Sequence, residues 1–258
     1  MSFQFTKLVV FPYVVAGKYA LDWDGEGNGP VSFVVESAPN ETGPWAFVEE
    51  VSTKSTVLTI SQRNLSHVDD TWFRVGAKQN GKVISYSSPM GYNFVIDRVD
   101  YLRYREMIRR WNLELEKYTG NKGKLLRLKT FGEVAQNVHP ILGQPIGTED
   151  AEGLGQKFKG GYWPAIDMKV AYTDPTATAD SPQLKVEEQG LSEPEESAFY
   201  CMPFPLIKPK DVWVNLVSNS RHIVTKVETV DYVNYRLKQL VNISRLPVTD
   251  PVYKIPLL

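Results

Sequence analysis

Cysteine is almost missing from this chain: Cys201 stands alone among 258 residues, so no intrachain disulfide can staple the fold. Its neighbours Phe199, Tyr200, Met202 and Phe204 predict a buried, inert thiol and not a nucleophile. An excess of one charge is missing too. The formal net charge of -1 excludes wholesale nucleic-acid binding and leaves room only for a local patch. No apolar run is long enough to span a bilayer. The opening MSFQFTKLVVFPYVVAGKY holds a short apolar block, but Lys7, Pro12 and the Val/Phe/Tyr content favour strands over a signal-peptide core. A soluble protein assembled in a cytoplasm is the expectation. Motifs of catalysis are also lacking: there is no G-x-G-x-x-G, Walker A, H-E-x-x-H or nucleophile elbow. Ser66 and His67 are adjacent in one turn, where a serine and its base cannot line up. The sequence points away from an enzyme and implies no cofactor.

What is present first is a succession of short β-type runs. Phe5 to Phe11, Tyr19 to Trp23, Val31 to Glu36, Trp45 to Val51, Thr56 to Ile60, Trp72 to Lys78 and Tyr86 to Phe94 are separated by turn clusters such as Asp24-Gly25-Glu26-Gly27-Asn28-Gly29-Pro30. Seven strands at this spacing predict an antiparallel sandwich over residues 1–95. Trp23, the pair Leu58 and Ile60, the run Trp72-Phe73-Arg74-Val75-Gly76-Ala77 followed by Gly81, and Ser87-Ser88-Pro89 together resemble a fibronectin type III domain. Trp23 and Trp72 are expected in the core. Trp45, after Gly43-Pro44, is left between covering a strand edge and touching a partner.

Residues 96–120 predict one long connecting helix, capped by Asp97 and stopped by Gly120. Tyr101, Tyr104, Ile108, Trp111, Leu115 and Tyr118 form a heptad seam. The seam is expected to dock on its own chain, with a neighbouring subunit as the alternative. Between Arg98 and Lys129 ten basic residues face four acidic ones. Arg103, Arg105, Arg109, Arg110, Lys124 and Arg127 are the candidate patch for DNA or an acidic partner; the competing reading is a solvated face laced with i,i+4 pairs.

Residues 121–258 predict a β-barrel-like domain carrying two insertions. One, at 173–198, bears seven carboxylates against one lysine and reads as an exposed acidic loop. The other, at 130–166, is an irregular glycine-rich ribbon. The ribbon keeps Phe131-Gly132, Gly143-Gln144, Gly155, Phe158, Gly160-Gly161-Tyr162-Trp163 and Ile166. On those residues it resembles a zinc-ribbon-like segment of tailed-phage neck and connector proteins. The four positions where that family has paired cysteines are Ala135, Val138, Asp150 and Gly153. Alanine, valine and glycine side chains offer no donor, so a metal-free ribbon is expected even with His139 nearby. Further on, Arg221-His222-Ile223-Val224, Gln239-Leu240-Val241, Leu246-Pro247, Asp250, Tyr253 and Ile255-Pro256 match the end of the same family in the same order. His222 is expected at a surface or cross-strand position.

The resemblance implies a virion structural protein in the neck ring between portal and tail, assembled in the host cytoplasm. Its partners would be copies of itself in a ring of six or twelve, the portal or connector, tail proteins and, through the basic helix, packaged DNA. Candidate assembly contacts are Gly160, Gly161, Tyr162, Trp163, Trp111 and Ile108. The alternative is a glycan- or surface-binding adhesin module. A polysaccharide-degrading enzyme is a weaker third reading, since its carboxylates would have to leave the acidic loop for a rigid cleft.

Overall fold

The computed structural model describes residues 3–12, 18–29, 31–59, 71–91, 98–136, 138–139, 146, 153–173, 196–233 and 235–257. His67, the Asp97 cap, Gly143-Gln144, Asp150 and nearly all of the acidic loop lie outside them. The chain is mainly β and divides into two compact units, residues 1–105 with 129–163, and residues 106–128 with 164–258. This grouping differs from the domain limits expected above: the ribbon sides with the sandwich and not with the barrel.

In the first unit, β1 (Gln4–Pro12), β2 (Lys18–Glu26) and β5 (Ser55–Thr59) form one antiparallel sheet in the order β1-β2-β5. The second sheet is built from β3 (Ser32–Ala38), β4 (Ala46–Val51), β6 (Trp72–Gln79), β7 (Lys82–Tyr86) and β8 (Met90–Gly91). Its order is β4-β3-β6-β7, with β8 also on β6. The result is the expected Ig- or fibronectin III-like sandwich. Period-two alternation places Phe33, Val35, Phe73, Val75 and Ala77 inward. Phe33 is the centre, with Phe3 at 5.5 Å, Trp23 at 5.3 Å and Phe131 of the ribbon at 5.6 Å between ring centroids.

Two details depart from the sequence reading. The last predicted strand is broken in two. The Asn80–Gly81 turn, with both φ positive, starts β7 early. The chain then leaves the ladder at Ser87, whose N–H donates to Val75 O at 2.8 Å and whose Oγ accepts from Val75 N at 3.0 Å. Trp72, expected in the core, alternates outward next to buried Phe73 and lies half-buried against Gly91.

The ribbon folds back on itself through Lys129 N to Gly161 O, Lys159 N to Glu133 O and Ala135 N to Lys157 O, at 2.9–3.0 Å. It then docks on the sandwich. Gly29 N donates to Gly132 O at 2.8 Å, and Thr130 Oγ1 donates to Asp24 Oδ1 at 2.9 Å. Phe131 and Trp163 thereby enter the sandwich core.

The second unit is a closed antiparallel barrel. Its strands are β9 (Asn121–Leu126), β10 (Ile166–Tyr172), β11 (Glu196–Cys201), β12 (Val212–Asn215), β13 (Arg221–Tyr232) and β14 (Tyr235–Arg245), in the order β10-β11-β14-β13-β12-β9. Leu125, Val170, Phe199, Cys201, Trp213, Val224, Val241 and Ile243 fill it. At Gly123 the Trp213 ring lies over the backbone: a Cβ there would sit 2.2 Å from the ring and 2.4 Å from Val214 O. Gly123→Ala is expected to destabilise the barrel by at least about 1–3 kcal/mol, because neither an indole in a filled barrel nor a ladder carbonyl can give way. A urea denaturation midpoint equal to that of the unchanged protein would contradict this.

The helix α1 runs from Arg98 to Glu114 and ends in a wider π turn, Leu115–Thr119. The turn closes at Gly120, where a Cβ would meet Leu115 O at 1.8 Å, so Gly120 stops the helix as expected. Tyr104, Ile108 and Leu115 of the seam are buried. The π turn carries Tyr118 off that face, and it is 79% exposed.

Candidate interaction surfaces

Of the candidate assembly contacts, Tyr162, Trp163 and Ile108 are buried in the chain's own structure, Trp111 is half-buried and Gly160 is exposed. Tyr162 is 7% exposed and Trp163 is 9% exposed. Trp163 packs at 5.2 Å on Phe131, and Lys129 Nζ lies over its ring at 5.4 Å while donating to Lys159 O at 2.6 Å. Burial lowers the affinity of that ammonium for its proton. The Trp163 indole N–H has no acceptor among the described residues. Gly160 and Gly161, both at positive φ, form the tight turn that swings Tyr162 and Trp163 inward. Ile108 is 3% exposed. Trp111 is half-buried on the barrel, its Nε1 donating to Cys201 O at 3.5 Å and its ring edge-on to Tyr200 at 6.4 Å. Lys238 Nζ covers both rings, at 5.0 Å and 4.1 Å.

The basic patch is only partly a patch. Arg127 is 1% exposed and belongs to the interior. Lys124 pairs across the β9–β10 ladder with Asp167 at 3.2 Å. Arg103 pairs with Asp100 at 3.5 Å, and Arg105 is half-buried. Arg109 and Arg110 stand outward but share Glu106, each at 2.7 Å. Hydrogen bonds from Arg109, then Arg110, hold the Glu106 carboxyl down to about 2 from its ordinary 4.5. A depressed folded value means this support for the helix is present above pH 4.5 and lost as pH falls toward 2. The group is exposed, so salt screens the effect. Helical circular dichroism between pH 4.5 and 2 should decline less in Glu106→Gln than in the unchanged chain, and identical profiles would contradict the assignment.

Residues that the sequence motifs singled out turn out to build two clasps. One is the ribbon dock at Gly132. The other closes the barrel's end: Arg221 N donates to Tyr253 Oη at 3.0 Å, and Arg221 Nη2 donates to Ile255 O at 2.9 Å. Asp250 Oδ1 caps the short 3-10 turn Pro251–Lys254 through Val252 N at 2.9 Å. Thus Arg221 is joined in one structure with Asp250, Tyr253 and Ile255, which lie together at the end of the described chain. Burial pushes the Arg221 guanidinium below its ordinary value. His222, expected at a surface or cross-strand position, is buried and pairs across strands with Trp213 and Arg245, its Nε2 2.9 Å from Ser220 Oγ. Cys201 is buried as expected, and desolvation raises its thiol above the ordinary range. Among the described residues no cluster of three His, Cys, Asp or Glu is placed to hold a metal, and no helix is long and apolar enough to cross a membrane.

One solvent-facing arrangement escaped the sequence reading. On the outer face of β6, the Arg74 guanidinium lies 4.5 Å from the Trp45 ring centroid and 4.1 Å from that of Tyr86, and its Nε donates to Glu36 Oε2 at 2.6 Å. Phe47 stands nearby in the register, opposite Glu36, and is 66% exposed. The signal available in the sequence was Trp45 alone.

By fold, the chain joins an Ig- or fibronectin III-like sandwich to a closed six-stranded barrel. No family model matches it, and no curated protein matches it at a significant level. Among solved structures it is similar to a chain of "Titin kinase and its flanking domains", at 11% identity and a TM-score of 0.29. That match covers 93% of this chain, which spans 37% of the length of the other. A likeness of this size carries no argument about function.

Proposed function

We propose that this chain is a structural subunit of a tailed-phage virion, located in the neck ring between portal and tail, with copies of itself, portal or connector and tail proteins as partners. What supports the reading most is the fate of the residues that carry the family resemblance. Phe131, Gly132, Gly161 and Trp163 in the ribbon, and Arg221, Asp250, Tyr253 and Ile255 at the end, are spent on packing and on backbone hydrogen bonds. Residues used that way define a scaffold and not a reaction. Contact with packaged DNA would rest on Arg109 and Arg110, whose side chains stay exposed beside Glu106, since Arg127 is buried and the Lys124 side chain is largely covered. Gold-labelled antibody against the chain should decorate the head-to-tail junction of the parent particle in electron micrographs. Label confined to tail fibres or baseplate, or absent from particles, would overturn the proposal.

A second reading, an adhesin module, is favoured by the Trp45–Arg74–Tyr86 stack, which combines ring surface with a fixed donor and acceptor pair. Glycan-array binding by the purified chain that vanishes in Tyr86→Ala, with the melting temperature kept, would support it. An array blank for the unchanged protein would remove it.

A further inference from the structure

We draw no further inference here: the strongest candidate, the patch of exposed apolar side chains Tyr118, Leu216, Val217 and Val248 at the barrel end where β12 turns into β13, carries none, because nothing in the structure shows what covers it.

Discussion

Replacing Trp163 with alanine is expected to lower the stability of the first unit by about 3–5 kcal/mol, the range for deleting a large aromatic from a packed core. Trp163 and Phe131 are members of the same buried cluster as Phe3, Trp23, Phe33 and Phe73. Removing the indole empties a space beside the Phe131 ring, and hydrogen-bonded strands move little to fill it. Trp163→Phe should cost far less, because the indole N–H is buried without an acceptor among the described residues. Losing it relieves desolvation while most of the ring remains. For the same reason residues 1–95 alone, a sandwich without Phe131 and Trp163, should not show a cooperative melt. A sharp calorimetric transition for that fragment, or a Trp163→Ala chain that melts with the unchanged protein, would refute the argument.

Gln239→Leu is the second large effect, expected to destabilise the barrel by about 3 kcal/mol or more. Gln239 is fully buried, accepting from Ile207 N at 3.1 Å and donating from Nε2 to Met202 O and Pro205 O at 2.9 Å. It is the hub of the β11–β12 connection. Leucine fills the volume but strands three backbone groups away from water, each unmade bond costing about 1–3 kcal/mol and not strictly additive. Gln239→Glu keeps the acceptor and turns a carboxylate toward two carbonyls, so it should be worse than leucine at pH 7. Its folded pKa would be raised by burial and repulsion. The glutamate variant should therefore regain stability as pH falls toward the ordinary carboxylate range and lose it as pH rises. Urea midpoints at pH 7 and pH 5 measure both points; a glutamate variant that is stabler at pH 7 would refute the assignment.

Legibility in the sequence was uneven for physical reasons. Strands such as Trp72–Gln79 and Ser32–Ala38 announce themselves because period-two alternation is a local property. The broken strand at Ser87 was hidden, since its cause is a hydrogen bond to Val75 on another strand. Tyr162 and Trp163 read as anchors because aromatics after Gly-Gly fit a surface turn as well as a docking one. Only the contact with Phe131 distinguishes the two. Arg127 and Arg110 carry equal charge in a string of letters, yet one is interior and the other points to water.

Composition and pattern by themselves determined the class: a mainly β chain without disulfide chemistry, with one helix ended by Gly120, a sandwich first and a barrel later. These follow from residue-level preferences, alternation and turn chemistry, which act over a few neighbours. Tertiary structure decided the rest. It assigned the ribbon to the sandwich, joined Arg221 to Ile255 across thirty-four positions and set the Trp45–Arg74–Tyr86 stack. Each of these depends on which distant segments share a surface, and that is fixed by burial and backbone hydrogen bonding summed over the whole unit.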